Sequence, residues 1–298
     1  MADTKLHHRI VDGTGRLLMR ATSRRLPREE AGWLVGPAAG RAKVGHGWVE
    51  RMAAELGGGI STGPEHGLLP SFEALAGPDF DPGKVDRRIA DFYEHAAAWR
   101  LDLWSEWSAL AWPFGRLIAA TLSQRLEQLC LPMRPLDVSF GMDSTVVHIH
   151  DALGGHAGAA WLRAMRKTGR IAYSGLYGVA HLPGHGQPSV RVVFPLPLGS
   201  VQVFLRPSSD GAGGFRLTSP LGRFGDDGAY LVLERPTEGL FARRIPIAEQ
   251  FHLYVDDEGD VRTDHGLRLW RVPAVRLHYR LRRDTAPPRA DQTLTGGS

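Results

Sequence analysis

The sequence predicts an α+β protein in which a helical N-terminal part packs on a large antiparallel sheet, barrel-like or sandwich-like in form. Three observations predict it. Apolar residues recur at helical spacing between about residues 81 and 129. After Pro132 and Pro135 the period drops to two and stays there to Leu281. That second half contains no stretch long enough to be the helical crossover that parallel strands need. The organisation expected is an arm over residues 1–30, a helical part over 31–132, a β part over 133–282 and a disordered tail over 283–298, the tail being Pro, Thr, Gly and Asp with hardly any apolar residue.

Residues 1–30 are polar and Arg-rich, and residues 26–30, LPREE, read as a helix entry with Pro27 in the first turn and the glutamates at the positive end. Glycines leave one short helix over 47–56, followed by a Gly, Ser, Thr and Pro loop over 57–67 and a short helix over 71–75. The strongest helix is predicted over 81–112, with Asp81 as N-cap, Pro82 in the first turn and Pro113 as the stop. On a helical wheel Ile89, Phe92, Tyr93, Ala96, Trp99, Leu103, Trp104, Trp107 and Leu110 fill an arc of about 200°, wider than a surface helix needs. The helix should therefore be mostly buried, with His95, Asp102 and Glu106 in line on a narrow solvated edge. A second helix is expected over 114–129.

Beyond Pro135, Leu136, Val138, Phe140 and Met142 alternate with Asp137, Ser139 and Gly141, and a turn at 142–144 leads into TVVHIH, which together read as a hairpin. Further strands are expected over 159–165, 171–182, 190–196, 201–206, 214–218, 230–235, 250–255, 261–270 and 275–281. The segments KTG, PLGS, SSDGAGG, GDDG and DDEGD between them are turn material.

Composition excludes several classes. The 298 residues carry 36 Lys and Arg against 32 Asp and Glu, a formal net charge of +4, with no run of about five or six like charges. Nucleic acid is therefore not an expected partner. Cys130 is the only cysteine, which rules out an intrachain disulfide and a Cys-rich zinc site and fits a reducing, cytoplasmic setting. Neither a signal peptide nor eighteen consecutive apolar residues are present, so no membrane association is expected. Residues 36–43 lack the Gly-Lys-Ser/Thr of a phosphate loop, and residues 57–63 lack its lysine. Residues 256–260 lack the glycine and glutamate spacing of a calcium loop and read as a hairpin turn. Ser174 lies inside a strand rather than at a strand-to-helix elbow.

Two candidate sites remain. His148 and His150 are two apart on a strand, so both imidazoles point to one face and form a candidate metal pair, with His181, His185, Asp151 or Glu249 as a possible third ligand. On the strand over 171–182, Tyr173, Tyr177 and His181 share a face with Gly175 between them, the composition of a concave, partly polar lining. With Trp104 and Trp107 from the long helix, these residues are the candidate ligand-binding set. Arg268, Trp270, Arg276, His278 and Arg280 alternate on the last strands and read as an outward face of snorkelling arginines.

The segments RIADFYEHAAAWRLDLWSEWSALAWPFGRL and FHLYVDDEGDVRTDHGLRLWRVPAVRLHYRL resemble conserved hypothetical proteins of high-GC bacteria. The resemblance implies a bacterial origin and carries no activity. The functional expectation is a cytoplasmic protein that binds a hydrophobic or aromatic small molecule in a barrel-like cavity without a cofactor, as a carrier or as a cofactor-independent isomerase or cyclase. The alternatives are a metal-dependent enzyme using His148 and His150, and an interaction module that presents its terminal arginines to an acidic partner.

Overall fold

The computed structural model describes residues 22–27, 29–37, 46–107, 142–166, 169, 171–196, 199–235 and 239–284. Among them are fourteen strands: β1 (Arg24–Leu26), β2 (Ile60–Thr62), β3 (Trp99–Trp107), β4 (Met142–His150), β5 (His156–Met165), β6 (Ile171–Ala180), β7 (Ser189–Leu196), β8 (Gly199–Ser209), β9 (Phe215–Ser219), β10 (Gly228–Arg235), β11 (Gly239–Arg244), β12 (Ile247–Val255), β13 (Val261–Leu269) and β14 (Val272–Arg283). Two α-helices accompany them, α1 (Trp48–Glu55) and α2 (Arg87–Glu94).

The strands form one antiparallel sheet in the order β2-β4-β5-β6-β7-β8-β9-β12-β13-β14-β3. β8 divides it: Gly199–Phe204 pairs with β10, which continues to β11 and β1, while Arg206–Ser209 pairs with β9. The expected antiparallel sheet is present. The barrel is not, because among the described residues β2 and β3 end the ladder without pairing to each other.

The sheet nevertheless curls. β5 and β14 stand seven strands apart, roughly 34 Å if the sheet were flat, yet the guanidinium of Arg163 on β5 lies 5.8 Å from the ring of Tyr279 on β14. One hydrophobic cluster likewise draws on both ends of the order, from Val146 and Trp161 to Val261 and Leu281. Side chains alternate accordingly. Trp161 and Arg163, Tyr173 and Tyr177, Val192 and Phe194, Leu217, Glu249 and Phe251, Thr263 and His265, and Leu277 and Tyr279 hold alternate positions on the inner face.

One end of that inner face is filled. Leu68, Leu69, Phe72, Leu75, Phe80 and Val85 precede α2, whose Ile89, Phe92 and Tyr93 join them against Phe215, Leu217 and Leu253. The other face of β4–β7 is covered by Trp48, Val49 and Ala53 of α1, and Trp48 Nε1 donates to Ser174 Oγ at 2.8 Å. That double burial explains why β5 reads AAWL rather than as a polar alternation.

Several expectations are corrected. The helix expected over 81–112 is not one element among the described residues 81–107: Asp81 caps a single 3-10 turn, Asp86 caps α2 through the Arg88 N–H, α2 ends at Glu94, and residues 99–107 form β3, paired with β14 over nine positions. Trp99, Leu101 and Leu103 face in while Arg100, Asp102 and Trp104 face out. A strand placed on a helical wheel scatters its apolar residues widely, which is why the arc came out so broad. The part expected to be helical thus supplies β2 and β3, and strand periodicity begins at Trp99, well before Pro132 and Pro135. Residues 142–144 are not a turn but the start of β4, opposite Arg163–Met165. The LPREE segment makes only a turn, with Glu30 and Ala31 donating to the Pro27 carbonyl. The helix expected over 71–75 is a 3-10 turn capped by Ser71. The second helix, the first hairpin strand, Pro132, Pro135, Cys130 and most of the tail lie outside the described residues.

Candidate functional site in the open end of the curled sheet

The opposite end of the inner face, open in the sense that among the described residues Tyr173, Tyr177, Phe194 and Phe251 stay partly exposed, is chemically mixed. β6 places Tyr173 and Tyr177 four residues apart on one side, and the Tyr173 hydroxyl donates to Tyr177 Oη at 3.0 Å. Trp161 packs edge-on against both, at 5.6 and 5.7 Å, and Phe194 against Tyr173 at 5.4 Å. Gly175, opposite Trp161, keeps the strand thin there, since a side chain would meet the Tyr173 ring. Trp161 Nε1 is satisfied by Ser144 Oγ at 2.7 Å.

Across the curl, β12 and β13 contribute Glu249 and His265, whose Oε2 and Nε2 are 3.0 Å apart, and Phe251 stacks on the His265 imidazole at 3.7 Å. β14 contributes Tyr279. Burial pushes the phenols of Tyr173, Tyr177 and Tyr279 above their ordinary range, so all three are neutral donors at any physiological pH. For Tyr279 the Arg163 guanidinium opposes the shift.

Arg163 is the charged centre of this end. It is 5% exposed, and its guanidinium sits 5.3 Å from the Trp161 ring and 5.8 Å from that of Tyr279. Burial lowers its pKa, with Tyr279 opposing. Among the described residues its Nε has no hydrogen-bond partner, the acceptors the guanidinium reaches are Met142 Sδ, 3.7 Å from Nη2, and the Tyr279 phenol, and no carboxylate lies within ion-pair distance.

The residues singled out from sequence separate. Tyr173 and Tyr177 meet in this end. His181 does not join them: it lies beyond the end of β6 and is exposed. Trp104 is 52% exposed on the outer face of β3, because the helix that was to turn it inward is a strand, and the Trp107 side chain lies outside the described residues. Arg163, Glu249, His265 and Tyr279 are the members sequence reading missed as a group. Inward spacing was the available signal: Arg163 follows Trp161 by two, and Tyr279 alternates with the arginines of β14.

His148 and His150 do share a face, and two other histidines join them. His66 stacks on His148 at 3.9 Å, and His156 approaches it edge-on at 4.7 Å. His148 Nε2 lies 2.9 Å from the Gly67 carbonyl and His150 Nε2 2.8 Å from Ser61 Oγ. Burial, reinforced by the neighbouring imidazoles, lowers the pKa of His66, His148 and His156, the last to about 4. The third ligands considered earlier are engaged elsewhere: Asp151 caps its own loop, His185 faces Asp226 and Glu249 faces His265. Among the described residues the three ligand atoms that do converge within 4.8 Å are those of Asp256, Glu258 and Asp260. These occupy the β12–β13 turn and are paired with Arg262, Arg280 and Arg282, so they are structural.

A groove of about 1050 Å³ runs between α2 and the β13–β14 hairpin. Its charges pair with one another, Arg283 with Asp91 and Arg282 with Asp260, rather than converging on a vacant point. The terminal arginines face outward as expected, with Arg280 and Arg282 neutralised by neighbouring carboxylates. Among the described residues no helix is long and apolar enough to cross a membrane. No family model, curated protein or solved structure matched the chain.

Proposed function

We propose that the protein binds a hydrophobic or aromatic small molecule in the open end of its curled sheet, as a carrier or as a cofactor-independent isomerase or cyclase. The observation that carries this reading is the Tyr173–Tyr177 pair, a hydrogen-bonded couple of neutral phenols packed against the buried Trp161, with the half-buried Phe194 beside Tyr173 and Phe251 on the same inner face. Apolar walls with a few oriented polar groups are the usual composition of a small-molecule site. Because Tyr173 donates to Tyr177, the Tyr177 proton is left to a ligand oxygen, and Glu249 with His265 stands ready to accept or relay a proton across the same space. A carrier would use only the first of these features; an isomerase would need both.

Native mass spectrometry of freshly purified protein, paired with NMR of protein labelled with carbon-13 in its tyrosine rings, tests the reading. A retained small molecule whose removal shifts the Tyr173 and Tyr177 signals is the expected result. A protein without bound mass, whose tyrosine signals stay unmoved by apolar acids and alcohols, would end it.

A second reading is a metal site using the His148 and His150 pair, favoured by the imidazoles of His66 and His156 that pack beside His148. Stoichiometric zinc, nickel or copper in protein purified without chelators, lost in His148→Ala, is its expected signature. Metal-free protein that also fails to take up added zinc would remove it.

A further inference from the structure

Arg163 identifies the chemical class of the ligand. We propose that the open end recognises the carboxylate of an apolar organic acid, held by the Arg163 guanidinium while the hydrocarbon or aryl body lies against Trp161, Tyr173, Phe194 and Phe251. The inference rests on the small-molecule reading above and deepens it.

A guanidinium offers five N–H donors in a fixed plane and does not give up its charge in a protein. Burying it is costly unless acceptors are supplied. Here the guanidinium has aromatic neighbours in Trp161 and Tyr279, whose ring faces attract a cation, and Trp161 offers no acceptor for its fork of donors. The acceptors it does reach are a thioether sulfur and the nearby Tyr279 phenol, and Nε has none. Arginines that are only partly buried are treated differently. Arg191, which burial lowers to about 10, reaches Gln202 Oε1 at 2.8 Å and the Val35 carbonyl. Arg244 is held by the carbonyls of Pro220, Arg223, Asp226 and Asp227. Arg191 also keeps an unpartnered Nε, but among the described residues Arg163 alone of these three reaches no carbonyl, amide or carboxylate oxygen.

A carboxylate matches that fork, since its two oxygens accept two parallel N–H bonds. Dispersion against the rings around it suits an apolar body rather than a sugar or a nucleotide. Tyr177 provides a further donor on β6, within the same lining. On this arrangement a neutral analogue of the same shape keeps the apolar contacts and loses the charge-assisted ones.

The test is calorimetric titration of the full chain with 2-naphthoate and decanoate, each against its alcohol, 2-naphthylmethanol and decanol, repeated on Arg163→Met and Arg163→Lys. The acids should bind about tenfold or more tighter than the alcohols, the size of a charge-assisted hydrogen bond. Arg163→Met should erase that preference while changing alcohol affinity less than about twofold, and Arg163→Lys should retain part of it because the charge stays and the fork is lost. The comparison of acid with alcohol on the unaltered protein stands even if a variant misfolds. Equal affinity for acid and alcohol would overturn the carboxylate assignment and leave the small-molecule reading intact. Absence of binding by all four probes would overturn both.

Discussion

The two ends of the inner face use the same strands and differ in what lies against them. At the filled end, Phe72, Phe80, Tyr93 and Phe215 interlock with ring centroids 5.0 to 5.9 Å apart, and Phe215 is fully buried. At the open end, Tyr173, Tyr177, Phe194 and Phe251 are only partly covered, and they surround a charge and a carboxylate–imidazole pair. The Tyr93 and Tyr173 phenols are both pushed up by burial, but Tyr93 sits in a close-packed aromatic cluster with α2 behind it, whereas Tyr173 is hydrogen-bonded to a second phenol. The difference teaches that one end is spent on stability, through packing that a missing ring would leave void. The other places a buried guanidinium and a carboxylate–imidazole pair among partly exposed rings, the groups on which the proposed recognition would depend.

The largest effect that would break this comparison belongs to the filled end. Phe215→Ala removes the ring that touches Phe72, Phe80 and Tyr93, and a loss of about 3–5 kcal/mol of unfolding free energy is expected by urea titration. A loss under about 1 kcal/mol would mean that this end is loosely packed after all.

Acid should act more weakly, and through the histidines beside the filled end. His66, His148 and His156 are held below the ordinary value of 6.5, His156 at about 4, chiefly by burial and then by one another. The unfolded chain takes up protons near pH 6.5 that the folded chain refuses. The stability they contribute is therefore complete above about pH 6.5 and is lost as the pH falls towards about 4. His156 is exposed at the rim, so screening keeps its share small. Urea midpoints measured across that window should fall with pH, and His156→Gln should flatten the slope only slightly; a midpoint independent of pH would dissolve the cluster as an electrostatic unit.

Smallest of all should be Tyr177→Phe at the open end, which leaves the ring in place and removes one hydroxyl. Less than about 1.5 kcal/mol of stability should be lost, the scale of a single hydrogen bond, while ligand affinity should fall measurably in the same titration used for Arg163. A larger loss of stability than Phe215→Ala causes would reverse the assignment of the two ends.

Period-two patterning determined the antiparallel sheet by itself, because inward and outward alternation is written within each strand: β4 to β9, β10, and β12 to β14 were all legible that way. The same rule put Tyr173 and Tyr177 on one side of β6, as i and i+4 on a strand must be. The state of residues 99–107 was not legible, since Trp99, Leu103 and Trp107 fit either period until β14 supplies a ladder of hydrogen bonds for them. Nor could any local pattern bring Arg163 to Tyr279 or set Glu249 and His265 across from the tyrosines. Those meetings depend on how far eleven successive strands twist and curl, a sum of long-range pairings and of the packing of α2 inside them, and only the tertiary structure decided it.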